Sequence, residues 1–220
     1  MGNVLTSSIG KKLIMSITGL FLVVFLLVHL VANSAYLFGP DAFNAVIAFM
    51  GSPIILIMVP VLAAGFIIHI IYATYLTWTN RIARGSQAYA VANKGKADSW
   101  SSKNMFVLGI LVLGFLVFHL THFWAKMQLP EFTGGHAEDG TLLMDTTFSN
   151  IWLLLAYLAW FVALWFHLTH GFWSAFQTLG TNNQKWIPRL RAVSYIYATI
   201  VVAGFCLIAI VAYLRANGIL

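Results

Sequence analysis

Four histidines, His29, His69, His119 and His167, each lie inside a different strongly apolar stretch of the chain. An imidazole can ligate a metal, carry a proton or donate a hydrogen bond, and any of these is costly to keep in hydrocarbon. One ring in each of four stretches points to a shared task in the interior of a helix bundle. No Asp or Glu lies in the core of these stretches, and the one cysteine, Cys206, can form neither an intrachain disulfide nor a thiolate cluster. Imidazoles without carboxylate or thiolate neighbours suit axial ligation of haem iron better than a di-metal site, which wants Glu and Glu-x-x-His patterns.

The elements that must position these rings are long. The chain has 220 residues, 60% hydrophobic and 8% charged, with a mean hydropathy of +0.86. That is the composition of an integral membrane protein. Five apolar segments stand out, at 12–38, 52–78, 104–127, 148–176 and 192–214. About 20 residues at 1.5 Å each cross a ~30 Å hydrocarbon layer, so each segment can span. The expected fold is therefore an all-α integral membrane protein with five transmembrane helices. Residues 1–220 form a single transmembrane domain whose first four helices build the ligand-bearing bundle. The first segment is longer than a signal-peptide core and is read as a retained span.

Charge sets the expected orientation. Lys11, Lys12, Arg81, Arg84, Lys94, Lys96, Lys103, Lys185, Arg189 and Arg191, ten of the twelve basic residues, fall in the segments that share a side with the N-terminus. The other side keeps Lys126 and Arg215 with five of the six acids, Asp41, Glu131, Glu138, Asp139 and Asp145. The positive-inside rule then puts the N-terminus in the cytoplasm and the C-terminus outside. The net charge of +6 thus reports topology, and no nucleic-acid partner is implied. The basic 81–103 loop suits anionic lipid head groups or a docked protein. The 128–147 loop is Gly-rich and acidic, and its His136 is expected to be solvated.

Counting 1.5 Å per residue from each span's midpoint sorts the histidines by depth. His29 and His119 lie roughly 6 and 5 Å toward the outside, His69 and His167 roughly 4 and 6 Å toward the cytoplasm. The two layers, His29 with His119 and His69 with His167, are what two bis-histidine b haems stacked across a membrane need. A single intramembrane histidine often serves as hydrogen-bonded glue between helices. Four, in two layers, fit that account poorly. The string FHLTHFW at 118–124 is echoed by FHLTHGFW at 166–173. Depth and the matching place in this echo favour His119 over His122 as the third-span ligand. His122 and His170, three residues beyond a ligand each, share its helix face nearer the surface, where His170 is a candidate cofactor or quinone contact. Gly65, Gly114 and Gly171 stand near the ligands and could admit a flat macrocycle or serve helix packing equally well.

These residues resemble a known subunit. Ser16-Ile-Thr-Gly19 running into His29, then His69, then His119 with Trp124, then His167 with Gly171-Phe-Trp-Ser174, are similar to the five-helix dihaem cytochrome b anchor of succinate:quinone oxidoreductases, the succinate dehydrogenases and fumarate reductases. The resemblance implies two haem b groups with the axial pairs His29/His119 and His69/His167, and a haem-propionate or quinone hydrogen bond from Ser16. It also implies a flavoprotein and an iron–sulfur subunit docked on the cytoplasmic face, and a membrane quinone as electron partner, menaquinone by analogy with dihaem relatives. The setting would be a bacterial cytoplasmic membrane. Such a subunit relays electrons within the enzyme and holds no dicarboxylate site, so no residue is assigned a catalytic role. Some fumarate reductases carry a glutamate two residues before the fourth-span ligand, where this chain has Trp165; a proton route through that position is not expected. Two other readings predict different things. A haem-b subunit of a hydrogenase or formate dehydrogenase would distribute its ligands differently, and a histidine-relay transporter would show broken helices or inverted repeats; Pro53 and Pro60 fall early in the second span, where Pro60 could kink it, and no other span core is interrupted.

Overall fold

The computed structural model describes residues 7–84 and 100–220. Gly85, Ser86, Lys94, Gly95 and Lys96 of the basic loop lie outside the described residues. Five helices are long and apolar enough to cross a bilayer, Ser8–Phe38, Pro53–Ala83, Met105–Met127, Ile151–Thr178 and Trp186–Ala216. They coincide with the five apolar segments to within a few residues, except that the fifth begins six residues earlier, and the chain is an all-α, multi-pass membrane protein.

Local chemistry sets the helix ends. Helix α1 (Ser8–Ser34) starts where the Ser7 hydroxyl accepts the Gly10 amide at 3.0 Å, and it runs on as a 3₁₀ turn over Ala35–Phe38. Gly39, at φ +106°, reverses the chain into α2 (Pro40–Met50), with Pro40 in its first turn and Asp41 beside the amide-rich end. Helix α3 (Pro53–Arg84) carries Pro60 without interruption. A short α4 (Trp100–Lys103) leads into α5 (Met105–His119), which continues as a π turn over Leu120–Trp124 and then α6 (Ala125–Met127). Two small helices follow, α7 (Leu129–Thr133) and α8 (Gly140–Phe148). Helix α9 (Ile151–Thr178) is capped by Asn150, whose Oδ1 accepts the Trp152 amide at 2.9 Å. Helix α10 (Trp186–Ala216) begins where Asn183 Oδ1 accepts the Trp186 amide at 2.8 Å. Apart from the π turn no span is interrupted, contrary to what the transporter reading predicts.

The two ends of the bundle are called near, where α1 begins, and far. Helices α9 and α10 form the densest pair, burying Leu154, Tyr157, Phe161 and Leu168 against Ala198, Val201 and Phe205. Helix α1 packs on both and on α3; α5 packs on α9 and touches α3 only marginally. The helices therefore pair as two leaves, α1 with α3 and α5 with α9, joined where α1 packs along α9, and one histidine of the four stands on each. Gly65 closes the first leaf, since a Cβ there would stand 2.6 Å from the Phe21 ring. That assigns Gly65 to helix packing. The outward faces carry exposed Val24, Val28, Ile67, Ile71 and Val117, as lipid-facing helices must.

The far end corrects one expectation. Residues 128–147 are not simply an acidic loop: α8 buries Leu143, Met144 and Phe148 and packs against α2 and α10. The two far-side basic residues have local partners there. Lys126 pairs with Glu138 at 3.5 Å. Arg215 donates to the carbonyls of Tyr36 (2.7 Å) and Leu37 (3.0 Å), and the buried Tyr36 hydroxyl donates to Asp145. This lock joins α1, α8 and α10. Arg215→Ala would leave two carbonyls short of a donor and is expected to cost about 1–3 kcal/mol, read as a lowered thermal midpoint of the detergent-solubilised protein with helix content unchanged. His136 is exposed, as expected for a loop histidine.

Candidate functional site

The far layer is built by α1 and α5. His29 and His119 approach with ring centroids 5.8 Å apart and planes at 85°. Phe25 stacks on His29 at 5.3 Å and Phe205 closes on it at 5.7 Å, while Phe115 and Phe123 flank His119. The ring nitrogens of His29 see the Asn33 amide at 3.4 Å, and that amide donates to the His29 carbonyl at 2.8 Å. His119 Nδ1 is buried without a partner. Two imidazoles sharing an iron need centroids about 6 Å apart, roughly 2 Å from metal to each nitrogen. The spacing of this pair fits.

The π turn separates the third span's two histidines. In an uninterrupted α-helix His122 would stand about 60° round from His119, on nearly the same face. The wider turn beginning at Leu120 carries it farther round. His122 Nδ1 instead meets the Tyr157 hydroxyl at 3.2 Å, and its ring packs edge-on to Phe118 at 4.1 Å. The shared face expected for the two is corrected accordingly. π turns recur at functional sites because they re-aim a side chain without breaking a helix. No Gly or Pro marks this one, so the sequence offered no signal for it.

The near layer is built by α3 and α9. His69 leans on α1: its Nδ1 lies 3.4 Å from the Thr18 hydroxyl, and a Cβ at Gly19 would meet its ring at 3.3 Å. His167 reaches toward α5, where a Cβ at Gly109 would come within 3.8 Å of its ring. His167 Nδ1, like that of His119, is buried with no partner. A buried polar atom without a partner is expensive, and both rings carry one.

The glycines against the rings are thus Gly19 and Gly109. Gly19 falls within the quoted motif; Gly109 carried no signal. Gly171 meets the Met105 side chain and Gly114 faces open space. Ser16 is 6% exposed, on the stretch of α1 that holds His69. His170 packs edge-on to Trp173 at 5.2 Å. Among the described residues no three His, Cys, Asp or Glu side chains converge as a metal-ion site. His29 and His119 form a close pair of rings.

The chain is similar to the succinate dehydrogenase cytochrome b558 subunit of Bacillus subtilis (strain 168), with 27% identity over 186 residues, covering 81% of each chain. No family model matches the chain, and no solved structure does.

Proposed function

We propose that this chain is the membrane anchor and electron-transfer subunit of a succinate:quinone oxidoreductase in a bacterial cytoplasmic membrane. The observation that carries the reading is the approach of His29 and His119 at a spacing that suits an axial pair, with His69 and His167 on the other two of the first four spans. The name of the Bacillus subtilis relative supports the same reading. In this proposal His29 and His119 hold one haem b, His69 and His167 a second, and residues 1–220 form one cytochrome b domain. Haem iron with two axial imidazoles exchanges one electron at a time and offers no open position for oxygen. The residues around each pair do the rest. Phe25, Phe115, Phe123 and Phe205 keep water from the far layer, and Thr18 and Gly19 fix the orientation of His69.

The near end faces the cytoplasm in this reading. Lys12, Arg81, Lys103, Lys185 and Arg189 there present positive charge to the flavoprotein and iron–sulfur subunits. Electrons then pass between the iron–sulfur subunit and a membrane quinone, menaquinone by analogy with dihaem relatives. The chain contributes relay and anchoring to the enzyme without binding the dicarboxylate.

A reduced-minus-oxidised spectrum with a pyridine haemochrome assay tests this on the purified protein. Two protohaems per chain are expected. One haem would overturn the assignment of a layer, and none in folded protein would overturn the whole reading.

A further inference from the structure

Arg191 lies one and a half turns into α10, and its guanidinium sits over the Trp173 ring, 4.4 Å from the ring centroid. Its Nε is buried and has no hydrogen-bond partner. A guanidinium cannot shed its charge and has no acceptor capacity of its own. The side chain is half-buried, and the Nε–H that water does not reach calls for an acceptor, best an anion. Among the described residues the protein supplies none: the one ion pair is Lys126–Glu138, at the far end. Asp41, Glu131, Glu138, Asp139 and Asp145 are all at that end, and Asp98 lies outside the described residues.

The surroundings offer donors. The Tyr197 hydroxyl on α10 donates to the Val23 carbonyl on α1 at 2.5 Å, which aligns those two helices. Arg191 is six residues before Tyr197 and Ser16 seven before Val23, so both lie roughly 9–10 Å nearer the near end, at one depth. On α9, His170 and Trp173 stand three and six residues beyond His167, roughly 5 and 9 Å toward the same end. The Ser194 hydroxyl donates to the Thr169 carbonyl at 2.9 Å and holds α10 against α9 at this level. Ser16, His170 and Arg191 therefore all lie on the near side of His69 and His167, a level rich in donors and, among the described residues, without a carboxylate.

We propose that Arg191, seated on Trp173, binds a carboxylate side arm of the haem held by His69 and His167, with Ser16 as a second donor. This rests on the haem assignment above and adds to it the residue that neutralises the cofactor's charge. Arg191 is a positioning residue: it acts on the potential of the iron through the carboxylate and touches no reacting atom.

The test is a redox titration of purified wild-type, Arg191→Gln and Arg191→Lys proteins, with haem counted by pyridine haemochrome and bound phospholipid by phosphate analysis. The near haem is identified by repeating the titration in a His29→Ala background; where that variant does not fold, the two components of the full protein are resolved instead. Removing the cation favours the ferric state, so Arg191→Gln is expected to lower the near-haem midpoint by about 59 mV, a tenfold change in the reduced-to-oxidised ratio. Arg191→Lys is expected to keep most of the wild-type value. Loss of the near haem in the Gln variant with recovery in the Lys variant also supports the proposal; loss in both overturns it. An unchanged midpoint overturns it as well, and if bound phospholipid falls at the same time, Arg191 is assigned to a lipid phosphate. Wild-type protein without haem would instead sink the proposed function itself.

Discussion

His167→Ala is expected to halve the haem content of the purified protein, from two protohaems to one, and His69→Ala to do the same. In the proposed assignment two imidazoles share the iron in each layer, so deleting either empties it. The substitution at 167 removes a half-buried ring that faces Gly109 on α5 and whose Nδ1 is buried with no other partner. No nearby side chain is placed to take over, because His170 is turned against Trp173. A cofactor that binds only the folded state stabilises it by mass action, so the thermal midpoint should fall along with the haem signal. Both rings stand in the layer nearer the basic end, where the soluble subunits are proposed to dock. Co-purification of those subunits should therefore weaken more in these variants than in His29→Ala. Two haems retained in both His69→Ala and His167→Ala would refute the near pairing.

The second large effect separates two histidines three residues apart. His119→Ala should remove the far haem, leaving one protohaem per chain. His122→Ala should keep both and lose only its bond to Tyr157, a change of about 1 kcal/mol in stability. The π turn is the reason: it leaves His119 against His29 and carries His122 to the Tyr157 hydroxyl. Haemochrome assay and low-spin haem spectra of the two variants decide the matter. Loss of the far haem in His122→Ala, with its retention in His119→Ala, would reverse the third-span assignment.

Much of this architecture is legible in one dimension because a bilayer makes simple demands. Every backbone amide and carbonyl must be satisfied within the hydrocarbon, so an apolar run of sufficient length has to be a helix. The five spans follow from length and hydropathy alone. Fixed rise per residue then converts the positions of His29, His69, His119 and His167 into depths, and the layers follow before any contact is known. Pro60 shows the limit of local rules: a break there was conceivable, yet α3 runs through it. Residues 128–147 show another. Their glycines and acids look like loop, but Leu143, Met144 and Phe148 find apolar partners on α2 and α10 and fold as a helix. That outcome depends on what stands nearby.

By itself, then, the sequence determined the number of helices, the span that holds each of the four histidines and its depth along that span. All three depend on hydrophobicity and on a constant rise along one axis. Tertiary structure decided azimuth and partnership, which no single helix can specify. The π turn set His119 against His29 and His122 against Tyr157, Gly19 and Gly109 lie against the His69 and His167 rings while Gly65 packs helices, and Arg215 turned from a charge on the far side into a clamp on the Tyr36 and Leu37 carbonyls. Each is a contact between residues remote in sequence, set by how helices rotate and pack against one another.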